Sequence, residues 1–197
     1  MDLLPRSFFQ RDPLTCAREL IGCRLEWGRC AGIVAETEAY AAEGDEAAHT
    51  WNRPSARAFV TAHTAGAAYV YFNYGMYWML NVLVKGGAAD GFVLFRALEP
   101  LEGLPAMQRR RVAARRAGAK PLPPTALCSG PGKLAQALGV TGRDHGRDFC
   151  TGKRPIFFAP EAPVAVVEAT RIGISRAQHL PWRYVLAGSP HVSVPVR

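Results

Sequence analysis

The chain has no uninterrupted apolar stretch of about eighteen residues, so no membrane-spanning helix is expected. Its opening, Met-Asp-Leu-Leu-Pro-Arg-Ser-Phe-Phe-Gln, lacks the basic-then-apolar form of a secretory signal. That predicts a cytoplasmic protein, nucleoid-associated in a prokaryote. The five cysteines (Cys16, Cys23, Cys30, Cys128, Cys150) include no C-x-x-C pair. An odd count without metal-ligand spacing predicts reduced thiols and no zinc site. Acidic residues are the scarce charge: 16 Asp+Glu stand against 24 Lys+Arg, a net charge of +8 and a pI of about 9.6. A balance of that sign favours a polyanionic partner whose binding weakens with salt. There are no internal repeats, and nothing requires an oligomer, so a monomer is expected. With 197 residues and 49% hydrophobic content, one domain spanning 1–197 with a single sizeable core is feasible.

Aromatic residues are concentrated in Tyr69-Val-Tyr-Phe-Asn-Tyr-Gly-Met-Tyr-Trp-Met-Leu-Asn81. Two apolar runs meeting at Asn73-Tyr74-Gly75 predict a β-hairpin over about 69–84. A three-residue loop of those residues would place Gly75 in the left-handed region and pair Tyr71 with Tyr77. Tyr69, Tyr71, Tyr77, Met79 and Asn81 would then share one face, because side chains alternate along a strand. A two-residue loop would send Asn81 to the other face. Tyr74 stands at the tip, either as a wedge between stacked bases or as a surface tyrosine beside a core hairpin.

Elsewhere Asp12-Pro13 predicts a capped helix start and Gly22 its stop. Residues 24–40 read as strand, turn and strand broken at Gly28 and Gly32, and a loop of about twenty residues precedes the hairpin. Gly91 to Leu98 is a further strand, and 164–173, 183–187 and 191–195 are strands in the last third. Arg109, Arg110, Arg111, Arg115, Arg116 and Lys120 crowd a segment that opens as a helix and ends in prolines. It reads as a solvated basic face or as a phosphate-contacting arm. The mixture predicts an α+β fold: a mostly antiparallel curved sheet flanked by helices, with the hairpin protruding.

Candidate chemistry centres on Glu36, Glu38 and Tyr40, alternate positions of one strand whose carboxylates would stand roughly 7 Å apart. Either glutamate is a candidate general base, or the pair an acid and a base at a sugar carbon. A solvent-facing strand is the plain alternative. His49 follows Asp45-Glu46-Ala-Ala in a loop. Arg96 lies in an apolar strand and needs an anionic or carbonyl partner, such as Glu36 or Glu38. Ser129-Gly-Pro-Gly-Lys133 offers N–H groups and a lysine at a helix start, suited to phosphate, although it is not a Walker motif.

These segments, in order along nearly the whole chain, closely resemble the alkyladenine (3-methyladenine) DNA glycosylase family. They are Ala17-Arg-Glu-Leu-Ile-Gly22, Ile33-Val-Ala-Glu-Thr-Glu-Ala-Tyr40, Asp45-Glu-Ala-Ala-His49, Tyr69 to Tyr77 and Asn81. They continue with Val93 to Pro100, Leu127 to Leu134 and Gly188-Ser-Pro-His-Val-Ser193. The resemblance implies base-excision repair of alkylated or deaminated purines (3-methyladenine, 7-methylguanine, hypoxanthine, ethenoadenine) in double-stranded DNA, without metal or cofactor. It implies Glu38 as the base that activates water and Arg96 beside it and the reacting sugar. Tyr40, His49 and Tyr71 would line the flipped-base pocket, Asn81 would guard its floor against a 2-amino group, and Tyr74 would fill the gap in the duplex. Arg57, Met76, Tyr77, Ser129, Gly130 and Lys133 are candidates to meet the DNA backbone.

One segment departs from the pattern. Where the family carries a stretch like Thr-x-Arg-Asn-x-x-Met-Phe, this chain has Ser55-Ala-Arg-Ala-Phe-Val-Thr-Ala62. The bulky residues expected to hold the bent duplex become Ala58, Thr61 and Ala62, while Arg57 is kept. A damage-binding protein with little catalysis is therefore the alternative. A carbohydrate hydrolase using Glu36 and Glu38 fits the basic charge and Tyr74 poorly. No lysine falls in the motif positions, so lyase chemistry through an amine is not expected.

Overall fold

The structure is a computed structural model that describes residues 2–115 and 119–196. Arg116, one member of the basic run, lies outside the described residues. The strands are β1 (Arg24–Trp27), β2 (Cys30–Ala41), β3 (Ala68–Asn73), β4 (Tyr77–Val84), β5 (Gly91–Glu102), β6 (Ile156–Phe158), β7 (Val166–Ala169) and β8 (Arg183–Leu186). They form one eight-stranded sheet ordered β3-β4-β5-β2-β1-β6, in which β8 pairs with β2 and carries β7. All of these pairings are antiparallel. The helices are α1 (Arg6–Phe9), α2 (Pro13–Glu19), α3 (His49–Asn52), α4 (Pro54–Ala62), α5 (Leu104–Ala113) and α6 (Pro131–Leu138). The fold is α+β with a protruding hairpin. Among the described residues no helix is long and apolar enough to cross a membrane.

A period of two divides the sheet into a packing face and a site face. Ala39, Val70, Leu80, Val82, Val93 and Phe95 point into the main core with Leu20, Leu98, Leu134 and Phe157. Thr37 points the same way and donates to the Ala17 carbonyl of α2 at 2.7 Å. Their neighbours Glu36, Glu38, Tyr40, Tyr69, Tyr71, Asn81, Phe92, Leu94 and Arg96 occupy the opposite face. The pairing of β2 with β5 shifts register between Val34 and Glu36 and again between Glu36 and Thr37. Such bulges bend a strand and re-aim its side chains.

Several expectations are corrected. The stretch before the hairpin is helical, not a loop: Pro54 starts α4, and Ala56 and Phe59 bury one face. Phe59 packs 5.1 Å from the Tyr69 ring, centroid to centroid, so tertiary contact stabilises this short helix. His49 accordingly begins α3. Gly32 does not break the strand but lies within β2, where a Cβ would stand 2.7 Å from the Glu99 carbonyl oxygen. The strand expected over 164–173 shrinks to β7, and residues 191–195 form none. Pro190 and Pro195 bracket that segment, and the Ser193 N–H donates to Glu36 at 2.6 Å instead of to a strand. The three-residue β6 carried no signal of its own.

The hairpin loop is Tyr74-Gly75-Met76, since Asn73 pairs with Tyr77 and Tyr71 with Met79. The pairing is two residues away from the expected one, an even shift, so Tyr69, Tyr71, Tyr77, Met79 and Asn81 still share a face. Tyr74 adopts φ +50° and Gly75 φ +65°, both left-handed. Behind the tip, Phe72 packs against Trp78 at 4.9 Å. Glycines seat the hairpin on its neighbours: a Cβ on Gly132 would meet the Tyr77 side chain at 2.7 Å, and one on Gly142 the Trp78 ring at 2.8 Å.

The basic run does not form a free arm throughout. Arg110 donates to the Ala137 carbonyl at 2.8 Å and Arg111 to the Gln136 side chain, packing α5 on α6. Gly132→Ala is expected to destabilise the fold by about 1–3 kcal/mol through overpacking against Tyr77. Thermal unfolding checks this as a Tm lower by roughly 2–4 °C per kcal/mol.

Candidate active site

The site grows from two central strands. Glu36 and Glu38 of β2 are both fully buried and both meet Arg96 of β5. The resulting contacts distinguish the two carboxylates. Glu36 accepts four hydrogen bonds: from Arg96 Nε (3.1 Å), Arg183 Nη1 (3.0 Å), Ser193 Oγ (2.8 Å) and Ser193 N (2.6 Å). A carboxylate has about four acceptor positions, so Glu36 is saturated. Glu38 accepts three, from Tyr40 Oη (2.8 Å), Arg96 Nη1 (3.2 Å) and Ile172 N (2.7 Å). One acceptor position remains on Glu38. Spacing along the strand does not separate the two; their partners do.

Tyr40, Arg96 and Ile172 line a cavity of about 620 Å³, with Glu38 directly behind them. Its walls include His49, Tyr69, Tyr71, Met79, Asn81, Phe92 and Leu94, and its rim Trp51, Arg53, Phe72 and Tyr74. Burial, with help from Glu38, raises the Tyr40 phenol well above its ordinary value. Burial, with the neighbouring Tyr69, likewise raises Tyr71. Both are neutral aromatic faces at physiological pH. Burial opposes the charge on Arg96, but Glu38 and Glu36 outweigh it and raise the guanidinium further.

His49 Nδ1 lies 3.1 Å from Tyr69 Oη, and its ring centroid 4.2 Å from that of Tyr71. Burial first, and then Arg53, push its pKa down to about 4. The ring is therefore neutral at physiological pH, with one nitrogen carrying a proton and the other accepting. Asn81 is buried and donates from Nδ2 to the Tyr69 carbonyl at 3.0 Å. The structure thus brings Glu38, Arg96, Tyr40, His49, Tyr71 and Asn81 together, with Tyr74 81% exposed at the hairpin tip.

The other candidates are dispersed. Met76 (64% exposed) and Tyr77 flank the tip, and Tyr77 lies over Gly132 of α6. The Gly130 N–H is engaged by the Arg96 carbonyl at 2.9 Å, so it is not one of the free N–H groups expected at this turn. Ser129 forms a bridge to Ala97, and Lys133 is exposed. Arg57 donates to the Thr50 carbonyl at 2.6 Å, closing the end of α3.

Sequence reasoning missed the clamp that shapes the pocket. Arg171 and Asp45, both with fully buried side chains, form a two-point pair at 2.5 and 2.8 Å. The guanidinium also donates to the Ala39 carbonyl at 3.0 Å and lies between Tyr40 and Trp182, 4.7 and 5.0 Å from their ring centroids. It fixes residues 171–176, in which the Ile172 N–H is the one on Glu38. The signal was an arginine inside a stretch read as strand. Arg183, Ser193 and the rim residues Trp51 and Arg53 were also unforeseen. Among the described residues no three His, Cys, Asp or Glu side chains are grouped to hold a metal.

Because its folded pKa lies below the unfolded value of about 6.5, His49 binds fewer protons when folded than unfolded between about pH 4 and 6.5. Stability is therefore lost as pH falls through that window. The fall in Tm between pH 7 and pH 4.5 is expected to be smaller for His49→Gln than for the unsubstituted protein. Equal falls would show that His49 is not held neutral.

The sequence model of the methylpurine-DNA glycosylase (MPG) family matches residues 7–190. A protein of Rhizobium etli named "Putative 3-methyladenine DNA glycosylase" is 43% identical over 98% of this chain and 89% of its own length. Proteins of the same name from Chlorobium luteolum (44%, over 98% and 97%) and Rubrobacter xylanophilus (42%, over 91% and 90%) are similarly alike. With the family model matching residues 7–190 and relatives more than 40% identical along most of both chains, this protein belongs to the methylpurine-DNA glycosylase family.

Proposed function

We propose that the protein is a monofunctional DNA glycosylase that extrudes an alkylated or deaminated purine from double-stranded DNA into this cavity and hydrolyses its N-glycosidic bond. The observation that carries the reading is the unused acceptor position of Glu38 behind the cavity wall, next to Arg96 and the Ile172 N–H. A base within a duplex is out of reach, so it must be flipped out before reaction. Glu38 takes the proton of the attacking water, whose oxygen bonds to C1′. The purine departs with the electron pair of the broken C–N bond. In a cationic alkylpurine that pair cancels the positive charge, so no proton donor is needed. The neutral faces of Tyr40 and Tyr71 favour such a cation, and Asn81 closes the floor against a 2-amino group.

Tyr74 occupies the gap left by the extruded nucleotide. Its hairpin is held by the Phe72–Trp78 contact and by the close approach of Tyr77 to Gly132, so the tip is presented on a stiff support.

Single-turnover release from methylated DNA and from duplexes with one hypoxanthine or ethenoadenine tests the reading. Glu38→Gln is expected to reduce release by about 10²- to 10⁴-fold. Salt-sensitive lesion binding without release by the unsubstituted protein would favour a damage-binding role, for which the small residues Ala58, Thr61 and Ala62 on α4 are the motive. Tyr74→Ala is expected to weaken lesion-duplex binding by the 1–3 kcal/mol typical of base stacking, roughly 5- to 150-fold. Equal affinity of the two proteins for the lesion duplex would remove Tyr74 from that role.

A further inference from the structure

The cavity rim carries a second charged arrangement that base removal does not use. Three arginines line the cavity: Arg53, Arg96 and Arg176. Arg96 is engaged by Glu36 and Glu38. Arg53, at the end of α3, makes no side-chain hydrogen bond or ion pair among the described residues, and its guanidinium carbon is 5.9 Å from the Tyr71 ring centroid. Arg176 meets Glu46 at 3.2 Å, with side chains 58% and 49% exposed. Glu46 is the one acidic residue in the cavity lining.

Glu46 and Arg176 belong to the same two segments that Asp45 and Arg171 join, and the two pairs differ in kind. The Asp45–Arg171 pair is buried and bidentate, so breaking it would strand a charge away from water. The Glu46–Arg176 pair is exposed and joined through a single contact, the sort that contributes little to stability and is readily exchanged. A phosphodiester offers an arginine a two-point contact that Glu46 does not make here.

Resting on the proposed action on DNA, we propose that Arg53 and Arg176 form a phosphodiester subsite for the backbone flanking the extruded nucleotide. Glu46 is the competing anion that holds Arg176 until a phosphate displaces it. The anchor at Asp45–Arg171 keeps the segment in place while its outer end changes partner. After the exchange Glu46 stands unpaired beside the phosphate, so it opposes binding in the free and bound states alike.

The test is equilibrium binding of a duplex containing a non-cleavable abasic-site analogue, over a range of salt, for Arg53→Gln, Arg176→Gln, Glu46→Gln and the Glu46→Gln/Arg176→Gln double variant. Each arginine substitution is expected to lower the slope of log K against log salt by about one, equivalent to about tenfold weaker binding at 0.1 M salt. Glu46→Gln is expected to tighten binding several-fold when Arg176 is present and by less when it is not. Thermal unfolding of each variant should be close to that of the parent, because these side chains are exposed. Unchanged affinity and slope for Arg176→Gln, or weaker binding at an unchanged slope, would overturn the subsite. Because this duplex needs no base release, the slopes stand or fall separately from turnover. Altered slopes with no release by the parent would leave the subsite and remove the glycosylase. Normal release with unaltered slopes would do the reverse.

Discussion

Charge balance on one buried sheet face is the constraint on which the rest depends. Glu36 and Glu38 are paired there with Arg96 and Arg183, and Asp45 is paired with Arg171 in the segments that follow β2 and β7, all six buried. Burying any one alone costs several kcal/mol, and removing a partner from a buried pair typically destabilises by about 3–5 kcal/mol. Such pairs add little net stability over a well-packed apolar face, so their value lies in position. They join residues separated by 58 to 147 positions in the chain. The centre of the sheet, the 171–176 segment and β8 must therefore reach their places together. Ser193, 157 residues from Glu36, adds the C-terminal segment to the same arrangement.

The site shares its scaffold with the core residue by residue. Along β4, Leu80 and Val82 pack inward while Met79 and Asn81 face the cavity; along β5, Val93 and Phe95 alternate with Leu94 and Arg96 in the same way. Side chains carried on paired strands are held closely, which keeps the shape of the cavity fixed. The hairpin extends this rigidity outward. Small residues at Gly132 and Gly142 admit Tyr77 and Trp78, which leaves the large apolar tip exposed on an anchored base.

The altered 55–62 segment acquires a physical account from its helix. α4 turns Phe59 inward onto Tyr69 and Phe92, where it supports the cavity wall from behind. Arg57 is drawn to the α3 carbonyls, and Ala58, Thr61 and Ala62 face solvent. What this side of the cavity offers to a partner is instead Trp51 and Arg53, an aromatic surface and a cation on the short helix that begins at His49. Stacking and charge are the two contributions that bind nucleic acid with little dependence on sequence.

By itself the sequence determined the features that rest on local chemistry. The alternation of 69–81 specified a hairpin and the face it presents, Asp12-Pro13 specified the start of α2, and Gly130-Pro131 the start of α6. The motif segments carried Tyr40, His49, Tyr71, Asn81 and Arg96, which the fold brings to one cavity. What the sequence left open were matters of partnership. Glu36 and Glu38 are equivalent by spacing, and only the donors arriving from Arg183, Ser193, Tyr40 and Ile172 distinguish a saturated carboxylate from one with an acceptor left. α4 is too short to form on propensity alone and needs Phe59 against the sheet. The strand expected at 191–195 became a cap for Glu36 because a buried carboxylate gains more from an N–H than a proline-bracketed segment gains from pairing. Tertiary structure decided these points because each depends on a group more than a hundred residues away or on the opposite side of a packed face, and no local pattern carries that distance.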